Sequence, residues 1–298
     1  MTLEHTAESA GTLGAILRRE MGLSSTLVKR LKWRGAYFLN GLPAHTDARV
    51  LPGDQIRVEM AEAVEGFAPE QMELEILYED ESLLAVDKPA GLLMHPSPQR
   101  NEGTLANGVL HHLIARGEMA GVHPVTRLDR DTMGVALFAK TSYVHAKLCA
   151  MQRAGALEKV YRAAVFGVPA EREFRIDLPI GRVGGGSLLR TVDPQGKPAQ
   201  TDCRVLASDG VCAILELHPL TGRTHQLRLH CMASGFPILG DPQYRTEASA
   251  ACSAAHGLAT QQLAAHTLRL RHPVTGDMLE LTSRREIRLP EIANGSAV

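Results

Sequence analysis

The chain has 298 residues, of which 44% are hydrophobic and 22% charged, and its formal net charge is -1. This length suits one large domain with a small appendage. No apolar stretch approaches the roughly 20 residues needed to span a bilayer. The N-terminus shows neither the basic region nor the apolar run of a secretory signal. We therefore expect a cytoplasmic protein without membrane contact, and we take it to be a monomer.

Cysteine and histidine spacing gives no sign of a metal site. The 5 cysteines form no C-x-x-C pair, and the 13 histidines include no H-E-x-x-H spacing. Nucleotide-binding loops of the G-x-G-x-x-G or Walker type are also missing from the sequence. We expect neither a metal nor a cofactor.

Charge is segregated along the chain although the net value is near zero. Residues 11–60 contain 8 basic and 4 acidic side chains, whereas residues 61–87 contain 9 acidic side chains and no basic one. A basic segment of this kind is either a solvated helix face or a surface for phosphate groups. The charge pattern alone leaves both interpretations open.

The N-terminal segment is predicted to form two short helices and a small hairpin. The first helix has apolar residues at helical spacing and ends at Gly22; the second is capped by Ser24 or Ser25. Strands are expected at 36–39 and 55–60, after which the acidic stretch 61–73 is interpreted as a linker. The basic residues of the second helix are Lys29, Arg30, Lys32 and, at its end, Arg34.

The segment LSSTLVKRLKWRGAYFLNGLPAHTDARVLPGDQIRV resembles the alpha-L RNA-binding module of ribosomal protein S-four. The resemblance rests on a basic helix, then the turn Leu39-Asn40-Gly41, then Pro52-Gly53-Asp54. It implies a small α/β RNA-binding module over residues 1–60, with Lys29, Arg30 and Lys32 as RNA contacts.

Residues 74–298 are predicted to form a second domain of mixed α and β structure. Its strands and helices do not follow a regular β-α-β repeat, so the pattern favours an α+β fold. Strands are expected at 74–77, 82–87, 161–166, 201–206, 212–216 and 268–270, and helices at 104–116 and 142–154.

The densest charged cluster in an apolar setting lies in HPVTRLDRDTMGVALFAKT, which contains Arg127, Asp129, Arg130 and Asp131. One interpretation is a structural ion-pair network. The other is a carboxylate that arginines keep ionised, available as a nucleophile or base. Later segments add Tyr161 and several arginines, and an enzyme acting on a base flipped out of RNA needs such a set.

Residues 74–283 resemble the RluA family of pseudouridine synthases through several motifs in the family's order. The entry strand is ILYEDESLLAVDKPAGLLMHPS, and TRLDRDTMG matches the family's H-R-L-D-x-x-T-S-G loop. K-x-Y follows at Lys159 to Tyr161, and G-R-T-H-Q-I-R-x-H at Gly222 to His230, with Leu227 in place of the isoleucine. GDPQY and LAAHTLRLRHPVTGD match the closing segments.

The resemblance implies an α+β catalytic domain with a mixed, largely antiparallel sheet. It also implies an enzyme that isomerises uridine to pseudouridine in ribosomal or transfer RNA without a metal or cofactor. Asp129 would be the catalytic aspartate, Tyr161 would stack on the target base, and Arg223 would pair with Asp129. The other residues expected at the substrate are Arg127, Leu227 and Arg228.

Two positions depart from the family's pattern. Thr126 stands where the family usually has histidine, and Met133 where it has serine or threonine. The main alternative is an RNA-binding or ribosome-assembly factor that keeps the fold without catalysis. A glycosidase or nucleoside hydrolase is the third possibility, but it would need two working carboxylates, and Asp131 lies only two positions after Asp129.

Overall fold

The computed structural model describes residues 2–32, 36–60, 66–97, 100–118, 121–184 and 189–290, and for Arg30 and Lys32 it describes the backbone only. The N-terminal part contains a small antiparallel sheet of order β1-β6-β3-β4, two helices, and the separate strand pair β2 and β5. Its elements are β1 (Thr2–Thr6), β2 (Gly11–Thr12), α1 (Leu13–Arg19), α2 (Ser25–Lys32), β3 (Tyr37–Leu39), β4 (Leu42–Pro43), β5 (Arg49–Val50) and β6 (Gln55–Glu59).

The turns at Asn40-Gly41 and Pro52-Gly53-Asp54 are joined by hydrogen bonds of the Asn40 side chain. Asn40 and Gly41 both have positive φ, 50° and 82°, as the tightest hairpin turns require. The Asn40 side chain donates to Asp54 Oδ1 over 2.9 Å and accepts from the Gln55 amide over 2.8 Å. Strand β1 was not predicted, because TLEHT has no apolar alternation and forms through its pairing with β6.

The remaining residues form a second, larger α+β unit. No helix among the described residues has the length and apolar character to cross a membrane. The elements are β7 (Ile76–Glu79), β8 (Leu83–Lys88), α3 (Leu105–Ala115), β9 (His123–Pro124), β10 (Met133–Ala139), α4 (Ser142–Arg153), β11 (Leu157–Phe166), β12 (Glu173–Asp177), β13 (Ile180–Arg182), β14 (Arg190–Val192), β15 (Gln200–Ser208), β16 (Cys212–Pro219), α5 (Gln226–Ala233), α6 (Glu247–Ala255), β17 (Leu263–Arg271) and β18 (Met278–Thr282).

A 10-stranded sheet of order β12-β15-β16-β11-β17-β10-β8-β7 organises this unit, with β18 on β17 and β9 on β10. Its pairings are antiparallel except for β10 and β17, which run parallel over two residue pairs. The predicted α+β class with a largely antiparallel sheet is therefore confirmed. The parallel junction joins the two halves of the sheet.

Strands β8 and β10 are buried on both faces, and alternate residues pack into different clusters. Leu84 and Phe138 pack with α3, whereas Leu83 and Leu137 belong to a cluster that includes residues of α4. That second cluster also contains the apolar residues of α1 and α2. One continuous core therefore joins the N-terminal part to the larger unit.

Part of the predicted acidic linker is packed against α3. The Glu70 amide donates to Asn107 O over 3.1 Å, and the Glu70 side chain accepts from the Gly103 amide over 2.7 Å. The Asn107 side chain donates to Ala68 O over 2.8 Å. Residues 61–65 of this segment lie outside the described residues.

The parallel junction requires glycine at position 134. Gly134 has φ 102°, and a Cβ there would lie 2.2 Å from Ala265 O on β17. Any larger residue would force β10 and β17 apart. This spacing matters because the loop that carries Asp129 enters the sheet through β10.

We expect Gly134→Ala to lower the free energy of unfolding by more than about 2 kcal/mol, since it adds a backbone clash to the usual cost of positive φ. Urea denaturation gives this value. The control is Gly155→Ala, at a position with φ 72° and no heavy atom within 4 Å of the added Cβ. Equal losses in the two variants would contradict the close approach.

Candidate active site

The loop that carries Asp129 is held at its start by Thr126. The buried Thr126 hydroxyl accepts from the Leu137 amide over 2.8 Å, and the Val125 amide donates to Leu137 O over 2.8 Å. The threonine that departs from the family's pattern thus fixes the loop to β10. Met133, the second departure, begins β10 and packs against a small core cluster.

Lys88 ties a second loop to the first. Its side chain is fully buried, and its Nζ donates to Pro89 O over 2.9 Å, Leu92 O over 2.7 Å and Arg130 O over 2.7 Å. Burial lowers the pKa of Lys88 to about 7, while the charges of Asp131 and Asp129 oppose that shift. In the sequence this residue is only the lysine that follows the predicted strand 82–87, and nothing there indicates its role.

Arg228 is the ion-pair partner of Asp129. Its guanidinium is buried on α5, and Nη1 donates to Asp129 Oδ2 over 3.0 Å. The Nε and Nη2 atoms donate to the two carboxylate oxygens of Asp241 over 2.7 and 2.9 Å, and Nη2 also donates to Gln243 Oε1 over 2.9 Å. The pKa of Arg228 is raised: burial opposes the rise, but hydrogen bonds and charge from Asp241 and Asp129 outweigh it.

Asp241 makes this arrangement rigid. Its side chain is fully buried, and Oδ1 also accepts from the backbone amides of Gln243 and Tyr244 over 2.8 and 2.9 Å. Two-point binding fixes the plane of the guanidinium. Arg228 is therefore held by Asp241 and presents its remaining nitrogen to Asp129. The GDPQY motif contained Asp241, but nothing in the sequence indicated this role.

The expected pairing of Arg223 with Asp129 is corrected by the structure. Arg223 precedes α5, and its Nε donates to Pro198 O over 3.0 Å. Arg228 lies within α5 on its buried side, which places it at the carboxylate. Both arginines belong to one motif. They differ in their place relative to the start of α5, since Arg223 precedes the helix and Arg228 lies within it.

Tyr161 lies on β11 and packs against two core clusters, one of which contains Leu128 and the other Leu227. Burial raises the pKa of the Tyr161 phenol, and the negative charge of Asp129 raises it further. The structure thus brings Tyr161 and Leu227 to the same region as Asp129.

A cleft of about 920 Å³ opens over Asp129 and is also lined by Arg127, His225 and Arg228. Arg127 is exposed there. The Asp129 side chain remains 30% exposed despite its ion pair. A ligand in the cleft can therefore reach this carboxylate.

The N-terminal basic residues are not part of this cleft's described lining. Lys29 is exposed on α2, whose Leu27, Val28 and Leu31 are buried. The side chains of Arg30 and Lys32 lie outside what the structure describes.

Comparison with known proteins assigns the class. Residues 82–233 match the family described as RNA pseudouridylate synthase. The human protein "RNA Pseudouridylate Synthase Domain Containing 1" has a similar structure, with a TM-score of 0.59, 26% identity, and coverage of 72% of this chain and 84% of that chain. The chain belongs to the RNA pseudouridine synthase family, whose enzymes are isomerases that convert uridine to pseudouridine in RNA.

Similar protein sequences support the assignment to the RluA family. The chain is 38% identical over 234 residues to "Ribosomal large subunit pseudouridine synthase D" of Pseudomonas aeruginosa, covering 75% of this chain and 72% of the relative. It is 35% identical over 273 residues to "Uncharacterized RNA pseudouridine synthase YlyB" of Bacillus subtilis, covering 90% of this chain and 86% of the relative. The predicted resemblance to the RluA family is confirmed.

We expect Lys88→Met to lower the free energy of unfolding by about 3 kcal/mol, because three buried carbonyl groups lose their donor. Urea denaturation is the measurement, with Lys197→Met at an exposed position as the control. The control should change stability by less than about 0.5 kcal/mol. If both variants have the same urea midpoint of unfolding as the wild type, the hydrogen bonds of Lys88 do not stabilise the fold.

Proposed function

We propose that this enzyme isomerises a uridine of ribosomal RNA, that Asp129 is its catalytic carboxylate, and that it acts as a monomer in the cytoplasm. Arg228 serves as the partner of Asp129, and Tyr161 as the aromatic platform for the base. Arg127 and Leu227 contact the substrate, and Lys29, Arg30 and Lys32 contact RNA phosphates outside the cleft.

The contact of 3.0 Å between Arg228 Nη1 and Asp129 Oδ2 carries this proposal. An arginine keeps a carboxylate ionised when a ligand excludes water from its surroundings. Because Asp241 already fixes the guanidinium, Asp129 can respond to the substrate while Arg228 stays in place. A purely structural ion pair would not need a partly exposed carboxylate at the base of an open cleft.

The reaction breaks the bond between ribose C1′ and uracil N1 and forms a bond from C1′ to uracil C5. The electron pair of the broken bond leaves with the base on N1. After the new bond forms, the proton on C5 is lost and N1 takes up a proton, so that the product is an isomer of the substrate. Asp129 can act in either of two ways. It attacks C1′ as N1 leaves and is displaced when C5 attacks the same carbon, or it removes the neighbouring ribose proton and returns it when C5 adds to C1′. An aromatic ring such as Tyr161 holds the detached base through stacking, worth about 1 to 3 kcal/mol.

We propose ribosomal RNA as the substrate because several relatives carry the name "Ribosomal large subunit pseudouridine synthase D", from Pseudomonas aeruginosa and from Neisseria meningitidis among others. Transfer RNA is the alternative substrate. The N-terminal resemblance to an RNA-binding module supports either RNA.

Asp129→Asn should abolish pseudouridine formation, because the amide keeps the shape of the carboxylate and lacks its charge. The assay incubates wild type and variant with unmodified ribosomal and transfer RNA and maps pseudouridine by a chemical adduct that stops reverse transcription. If the wild type forms pseudouridine in transfer RNA alone, the substrate is transfer RNA and the ribosomal assignment is wrong. No wild-type product in either RNA would refute the enzymatic proposal.

Arg228→Lys should lower kcat by about 100-fold or more, because lysine keeps the charge but loses the fork that binds Asp241 and Asp129 together. Arg223→Lys is the matched control from the same motif, and its kcat should stay within about threefold of wild type. Thermal unfolding checks that both variants fold. A larger loss in Arg223→Lys than in Arg228→Lys would restore Arg223 as the partner of Asp129.

Replacement of Lys29, Arg30 and Lys32 together by alanine should weaken RNA binding and make it less sensitive to salt. If all three contact phosphates, the slope of log K against log salt falls in magnitude by about 2 to 3. Filter binding at several salt concentrations measures the slope. Lys197→Ala is the control, and an unchanged slope in the triple variant would remove α2 from the RNA interface.

A further inference from the structure

His225 has a left-handed backbone conformation at the N-terminus of α5. Its φ is 56° and its ψ is 19°, and Asn40 in the hairpin turn is the other described non-glycine residue with positive φ. For a residue other than glycine this conformation costs roughly 1 to 2 kcal/mol, and such strain concentrates at functional sites. Here it places the imidazole in the cleft, with Nε2 at 4.0 Å from Asp129 Oδ2.

Tyr244 determines which ring nitrogen of His225 carries the proton. The buried Tyr244 oxygen accepts from the Arg190 backbone amide over 2.8 Å and lies 3.0 Å from His225 Nδ1. The buried phenol proton needs an acceptor. Of the two atoms, an amide nitrogen cannot accept, so the proton goes to Nδ1. His225 then carries its own proton on Nε2.

The His225 ring is neutral near pH 7. Burial lowers its pKa, the charges of Arg228 and Arg190 lower it further, and Asp129 and Asp241 oppose the shift. A neutral imidazole with its acceptor nitrogen occupied has one N–H left to donate. A separation of 4.0 Å is too long for a hydrogen bond to Asp129, so this donor can serve a ligand.

We propose that the Nε2–H group of His225 binds a carbonyl oxygen of the target uracil. This rests on the proposed function. When the bond from C1′ to N1 breaks, its electron pair leaves with the base, and negative charge spreads onto the uracil oxygens. A fixed donor beside Asp129 stabilises that charge where it develops, and it contributes most in the transition state.

The first test compares three variants under single-turnover and steady-state conditions on an RNA that the wild type modifies. His225→Leu removes the donor and should lower kcat by about 100-fold while KM changes little. His225→Gln carries a similar backbone cost but offers an amide N–H, so it should recover part of the loss. Tyr244→Phe removes only the hydroxyl that fixes the tautomer, and its loss should be smaller than that of His225→Leu.

The control is His218→Leu, which removes a half-exposed histidine that contacts Glu216 at 3.1 Å, outside the cleft. Its kcat should stay near wild type. The inference is overturned if His225→Leu behaves like this control, or if His225→Gln is as slow as His225→Leu. Thermal unfolding of each variant separates loss of fold from loss of the donor.

A second test changes the acceptor. Synthetic RNA carries 2-thiouridine or 4-thiouridine at the target position, so that a weaker sulfur acceptor replaces one carbonyl oxygen. On the RNA whose replaced oxygen meets His225, the loss caused by His225→Leu should shrink, as in a double-mutant cycle. Equal losses on all three RNAs would overturn the inference.

Nitrogen-15 NMR of histidine-labelled protein reads the tautomer without any substrate. The expected result is a proton on His225 Nε2 in the wild type and a mixture of tautomers in Tyr244→Phe; a proton fixed on Nδ1 in the wild type would overturn the inference. If the wild type forms no pseudouridine, the proposed function fails. If the wild type is active and His225→Leu is unaffected, only this inference fails.

Discussion

The candidate active site depends on one buried guanidinium, that of Arg228. Arg228 uses two of its nitrogens on Asp241 and one on Asp129, so a single side chain connects the fully buried carboxylate to the partly exposed one. Removing water from three charges is costly unless each finds well-aligned partners. Asp241 supplies this alignment through both of its oxygens, and backbone amides of Gln243 and Tyr244 complete its own hydrogen bonds. The fixed cation then defines where Asp129 must lie.

The loop of Asp129 is held from the other side by the sheet. Lys88 joins it through Arg130 O to the turn after β8, and Thr126 fixes its start on β10. Gly134 lets β10 approach β17 directly after the loop. The Asp129 carboxylate therefore lies where two halves of a sheet meet, and the residues that support it come from distant parts of the sequence.

The sequence predicted well those features that depend on local patterns. Helices α3 and α4 and most long strands follow from apolar periodicity and capping, and the motif order led to the family. The partner of Asp129 could not be derived in this way, because Arg223 and Arg228 have equal charge and share one motif. Their difference arises from where α5 begins and which of its faces is buried. Lys88 and Asp241 were missed because burial of a charge becomes visible only when its distant acceptors and donors are assembled around it.

The core that joins α1 and α2 to β8, β10 and α4 has a mechanical consequence. Two bodies that share one hydrophobic cluster cannot move apart without exposing it, so the N-terminal part is not a tethered accessory. In the proposed RNA complex, the distance between the phosphates bound at α2 and the base bound at Asp129 is set by the protein. The enzyme would then select a uridine by its distance from those phosphates in the folded RNA as well as by its immediate neighbours.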